Sequence, residues 1–197
     1  MGQPKLLLPW GQHALIEQVL DSWRQGGVET RIVVVHPEDR QLADVCRAAG
    51  ATVCLPAAPP LEMKDSVWAA LSLASQLFPV ADDDAWLLAP ADMPFLSADL
   101  IRTLVGVYAR GESSIIVPRL PSGRTGHPVL FAWRHAFETE QLAQGVNELL
   151  LRHSVTYVEW HDAGAFADVD TFDDYRRLQS RHNQPTPSRC RGPANSD

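Results

Sequence analysis

The chain has 197 residues, a formal net charge of −7 and a sequence pI of about 5.4, and 45% of its residues are hydrophobic. That length fits one domain with a full core and at most a short tail. The acidic balance repels a long polyanion, which excludes DNA or RNA as a first partner but not a nucleotide held by a few local cations and a metal.

Strand-like and helix-like segments alternate along the chain. His13 to Gln25 carries Leu15, Ile16, Val19, Leu20 and Trp23 at helical spacing, and Gly26–Gly27 ends it. Arg31 to Val35 is a short β-branched run, apolar on both faces, so it reads as an interior strand of a parallel sheet. Asp39 to Ala49 is a predicted helix closed by Gly50, and Ala51 to Leu55 is the next strand. After a proline-rich loop, Asp65 to Leu77 reads as a helix and Ala85 to Ala89 (AWLLA) as a buried strand. Ser97 to Tyr108 is a helix with Ser97 as its N-cap. Ser114 to Val117 and His127 to Phe131 are strands joined by the turn-rich PSGRTG. Gly145 to His153 is a helix, Val155 to Trp160 a strand, and Thr171 to Arg181 a last helix. Residues 182–197 are polar and rich in Pro, Ser and Asn, and are expected to be disordered.

This order implies an α/β fold, with a mostly parallel sheet and helices on both faces, in one domain over residues 1–181. The cysteines Cys46, Cys54 and Cys190 form no CxxC and no close pair, which argues against a disulfide framework and a zinc cluster. No apolar run approaches a membrane span, and no basic-then-apolar leader opens the chain. The expectation is a cytoplasmic protein with no membrane partner.

Ligands of such sheets bind beyond the carboxyl ends of the strands. Asp92, in PADMPF, directly follows the AWLLA strand and is placed there. Its flanking prolines stiffen the loop. A carboxylate so held suits Mg²⁺, although a turn aspartate bonding local backbone fits the position as well. Lys5, in MGQPKLLLP, is either a point charge for a triphosphate or a solvated cation. His127, in GHPVLF, either meets a phosphate or is an ordinary strand-edge residue. Asp168 and Asp170 alternate before the last helix, where capping is one account and facing Asp92 across a crevice the other. Ser66, in MKDSV, opens a helix, where first-turn amides bind phosphates or Asp65 and Ser66 simply cap.

Taken in order, MGQPKLLLP, MKDSV, PADMPF, GHPVLF and DVDTFDDY resemble the molybdenum cofactor nucleotidyltransferases, and the GHPVLF and ADVDT pieces resemble the cytidylyltransferase branch. The resemblance runs from Met1 to about Leu178. It implies a Rossmann-like three-layer sandwich of the nucleotide-diphospho-sugar transferase type. It also implies a reaction in which CTP and a molybdopterin-type acceptor give the cytosine dinucleotide cofactor and pyrophosphate. Lys5 and Asp92 would be catalytic. Gly2, Lys5, Ser66 and Asp92 would meet the nucleotide, Gly126 and His127 the acceptor, and Asp92, Asp168 and Asp170 would hold Mg²⁺. A molybdoenzyme or its chaperone would be a protein partner. The family opens with a strand and a glycine-rich loop, roughly LAAGxSxRMGxPK, whereas this chain starts inside that loop. The expectation is therefore a sheet lacking its first strand, an upstream stretch that encodes it, and weak folding and activity without it. The alternatives are guanylyl or other nucleotidyl transfer to another phosphorylated acceptor, and a non-catalytic binding homologue.

Overall fold

The structure, a computed structural model, describes residues 4–111 and 113–182. Of the expected tail, His182 is the last residue of the final helix, and residues 183–197 lie outside the described residues.

A 3-10 turn over Lys5–Leu7 leads into a small antiparallel hairpin, β1 (Pro9–Trp10) and β2 (His13–Ala14). Gly11 takes φ 62° at its turn, a conformation that favours glycine. The helix was expected from His13, but α1 starts two residues later (Leu15–Gln25). Of its predicted apolar positions, Leu15, Ile16, Val19 and Leu20 are buried and Trp23 is half-buried. Then come β3 (Ile32–Val34), α2 (Arg40–Ala48), β4 (Thr52–Cys54), α3 (Met63–Leu77), β5 (Ala85–Leu88) and α4 (Ala98–Tyr108). Asp39 caps α2 by accepting from the Leu42 amide at 3.0 Å, and Ser97 caps α4 by accepting from the Leu100 amide at 3.2 Å. The chain continues with β6 (Ile115–Arg119), β7 (Val129–Ala132), α5 (Asn147–Arg152), β8 (Val155–Glu159) and α6 (Phe172–His182).

The main sheet has the order β5-β7-β6-β8. β6 and β8 are parallel, whereas β7 runs antiparallel to both β5 and β6. The sheet is thus mixed: the short PSGRTG connection turns the chain straight back, and so short a link permits only antiparallel return. β3 and β4 form a separate parallel pair. Among the described residues β3 is paired on one edge only, as is β5. Ile32 and Leu88 nevertheless pack against the same core cluster. With one unpaired edge among the described residues, β3, expected to be fully covered, is only half-buried.

Leu100, Ile101 and Leu104 of α4, Ile115 and Ile116 of β6, and Leu130 of β7 have no exposed surface. Trp86 stacks on Phe131 with ring centroids 4.3 Å apart. Cys46 and Cys54 are free and buried, and burial pushes the Cys46 thiol up to about 11, consistent with inert core cysteines. No helix of the described residues is long and apolar enough to cross a membrane.

Candidate active site

The carboxyl ends of β5, β6 and β8 and the start of β7 lie at one end of the sheet, and most of the expected site residues gather there. The Lys5 ammonium lies 2.5 Å from Asp92 Oδ2 and 3.7 Å from Asp170 Oδ1. The three come from opposite ends of the sequence and from the loop after β5. Asp92 is held from both sides of its loop. Leu96 donates to the Met93 carbonyl, and the Val169 amide donates to the Asp92 carbonyl at 3.0 Å. Val169 is fully buried, so the extended segment presents Asp168 and Asp170 on its other, exposed side.

Asp92 is the most sheltered of the three acids, and its Oδ1 is buried without a hydrogen-bond partner among the described residues. An ionised oxygen so placed costs free energy unless a cation reaches it. Helix capping, the alternative reading of Asp168 and Asp170, is not what they do. Thr171 takes that role: its hydroxyl oxygen accepts from the Asp174 amide at 3.1 Å, while the Asp174 carboxylate accepts from the Thr171 amide. The three acids do not close into one cluster, however. Among the described residues no trio of ligand atoms lying within 4.8 Å of one another includes Asp92. Lys5 lies between Asp92 and Asp170 instead.

His127 stands beside this group. Its Nδ1 is 3.2 Å from the Leu88 carbonyl oxygen. A carbonyl only accepts, so the ring proton is on Nδ1 and the neutral ring offers Nε2 as an acceptor. Burial lowers the His127 pKa, outweighing the Leu88 carbonyl and the Asp168 and Asp92 charges, which pull it up. In that tautomer the free Nε2 accepts from an N–H or O–H donor. Gly126 has a packing reason: a Cβ there would lie 2.4 Å from the Phe166 ring. Ser66 sits half-buried in the first turn of α3, and Asp65, not Ser66, closes that turn by accepting from the Leu61 and Glu62 amides. Gly2 lies outside the described residues.

Beside His127 opens a cleft of about 360 Å³, lined among others by Lys64, Leu88, Gln144 and Asn147. Sequence reasoning passed over Lys64 in favour of its neighbour Ser66. The signal was present, because Lys5 and Lys64 are the only two lysines of the chain and both fall at this end. The cleft wall around Gly145, which adopts φ 92°, carries no chemical signature and was not foreseeable.

Comparison with known proteins places the chain in a family and a fold. Residues 1–157 match the MobA-like NTP transferase domain. A molybdenum cofactor guanylyltransferase of Xanthomonas euvesicatoria pv. vesicatoria is 35% identical over 106 residues, which span 53% of this chain and 47% of that protein. This chain therefore matches about half the length of that curated relative. The crystal structure of Rv0371c from Mycobacterium tuberculosis in complex with manganese superposes with a TM-score of 0.72 at 29% identity, covering 91% of this chain and 93% of that one. The molybdopterin-guanine dinucleotide biosynthesis protein A of Archaeoglobus fulgidus shares the fold, with a TM-score of 0.65 at 17% identity over 91% of both chains.

Proposed function

The chain belongs to the MobA-like NTP transferase domain family, and from that premise we propose that it transfers a nucleoside monophosphate from a nucleoside triphosphate to the phosphate of a molybdopterin-type acceptor. The observation that carries this reading is the Lys5–Asp92 pair at the strand ends, with a buried Asp92 oxygen left for a cation. An acceptor phosphate oxygen forms the new bond to the α-phosphorus. The bond from that phosphorus to the β-phosphate oxygen breaks, and pyrophosphate leaves with the electron pair. No covalent intermediate with the protein is required, so the residues position and neutralise charge.

The donor set fits a hard divalent ion. Asp92 would hold Mg²⁺ through the partnerless oxygen, with Asp168 or Asp170 as the second carboxylate. When bound, the ion supplies charge neutralisation across the phosphates. That a Mycobacterium tuberculosis relative has been crystallised in complex with manganese supports a divalent metal. Lys5 turns its ammonium from Asp92 toward the triphosphate and offsets the charge that grows on the leaving pyrophosphate. Lys64, across the cleft, adds a second cation, and Ser66 stands nearby for the nucleotide. His127 Nε2 accepts from a donor group of the acceptor, and Gly126 keeps that histidine's strand tight against Phe166.

CTP is the nucleotide favoured by the GHPVLF and ADVDT segments. A second reading, GTP, is favoured by the name of the Xanthomonas relative. Pyrophosphate release is the test, with molybdopterin-type acceptor, Mg²⁺ and either CTP or GTP. Release with CTP and little with GTP is the expected result. The reverse selects the second reading, and binding without release in either case overturns the transferase reading.

A further inference from the structure

We propose that His135, Glu138 and His153 form a second metal site, for a divalent transition ion of the zinc class, at the opposite end of the sheet from Asp92. The proposal does not rest on the transferase reading. Ser114 immediately precedes β6, His153 lies two residues before β8, and His135 and Glu138 follow β7. Antiparallel β7 therefore delivers two of the ligands to the end where the parallel strands begin.

The donor atoms of the three residues all lie within 4.8 Å of one another. Glu138 Oε1 is 2.7 Å from His135 Nδ1, and Oε2 is 2.9 Å from His153 Nε2. The two rings are 4.1 Å apart between centroids. A tetrahedral zinc ion with bonds of about 2.0–2.1 Å sets its donors roughly 3.3 Å apart, so small side-chain rotations suffice to seat it. The mounting is built. His135 is almost fully buried, and its Nε2 is 2.9 Å from Ser114 Oγ. When Nε2–H donates to that hydroxyl, the Nδ1 lone pair faces the carboxylate, which is the outer-shell arrangement that orients metal-binding histidines. The Ser114 carbonyl in turn accepts from the Ala132 amide at 2.7 Å, which ties the serine to the end of β7. Glu138 and His153 are about one-third exposed, at 33% and 28%, which leaves an entry path and room for a water as fourth ligand.

The chemistry separates this site from the first. Two imidazoles and one carboxylate suit zinc-class ions, whereas Mg²⁺ takes oxygen donors and would stay with the aspartates. Without a metal, the same three groups form a hydrogen-bonded triad in which protons take the place of the ion.

Calorimetric titration of the full chain with Zn²⁺, in excess Mg²⁺ to fill the aspartate site, distinguishes the two. One saturable equivalent is expected, with a rise in Tm. His153→Ala and the shape-conserving Glu138→Gln are each expected to weaken Zn²⁺ binding at least about tenfold. Replacing Zn²⁺ by Co²⁺ should give visible d–d absorption in the parent chain but not in either variant. Absence of saturable Zn²⁺ binding, or unchanged affinity in Glu138→Gln, overturns the site and leaves the proton-bridged triad.

Discussion

The two ends of the main sheet solve opposite problems with similar residues. At the Asp92 end, charges are brought together from distant segments and left incompletely satisfied, with one buried oxygen lacking a partner. At the His135 end, each carboxylate oxygen of Glu138 meets an imidazole and the buried histidine also meets a hydroxyl. The first arrangement costs stability and keeps charge available for a ligand. The second returns stability and holds its groups in place. Partial satisfaction, more than the mere presence of acids and bases, marks where phosphates would be handled.

Several substitutions sharpen or break that contrast. The largest effect is expected from Asp92→Asn, which should lower the rate of pyrophosphate release at least about 100-fold, roughly 2.7 kcal/mol of transition-state stabilisation. Its folding stability should hold or rise, and an undiminished rate removes Asp92 from the reaction. His135→Ala should do the reverse. It leaves the Ser114 hydroxyl and one Glu138 oxygen without their partner, while His153 keeps the other, and is expected to cost about 2 kcal/mol of stability by urea denaturation, with the rate per folded molecule kept. Gly126→Ala forces a methyl group into the Phe166 ring and should cost about 1.5 kcal/mol, with KM for the acceptor rising. A melting curve identical to the parent's would show that the contact relaxes freely.

The smallest expected effect is one of pH. His127 is held below its ordinary pKa, by burial first of all. Unfolded, it takes up a proton below about pH 6.5, whereas folded it resists. Its contribution to stability is thus complete above that pH and is lost as pH falls through the window down to the depressed folded value. Urea midpoints compared near neutrality and in mild acid should show a flatter acid limb in His127→Gln than in the parent chain. An equal slope would mean that the ring is already free to charge.

Legibility from sequence divides along physical lines. The placement of Asp92 was readable because the apolar run AWLLA marks a strand and the residues after it reach its carboxyl end, although the strand expected to be buried lies at the sheet edge with only Trp86 buried. The cap Ser97 was readable because capping is a local property, set within three residues. The Trp10 hairpin was not, since a two-residue strand has no periodicity. The direction of β7 was only half-visible: the turn in PSGRTG was plain, but the strand's insertion between β5 and β6 depends on contacts far apart in the chain. His135 and His153 were invisible as a pair, because 18 positions separate them and only the shared sheet end brings the rings together. The contacts of His127 with the Leu88 carbonyl and of Gly126 with the Phe166 ring were not legible, because each joins segments far apart in the chain.

α6 begins well past the last position of the family match, Tyr157. Yet the Tyr175 hydroxyl and the Gln179 amide both donate to the Pro9 carbonyl, and Trp10 is flanked by the rings of Tyr175 and His182. This last helix therefore works as a clasp on the very segment that bears Lys5. A chain trimmed to the stretch that matches the family would retain the lysine but lose the hold that aims it. The mechanical unit of this protein is longer than its recognisable signature.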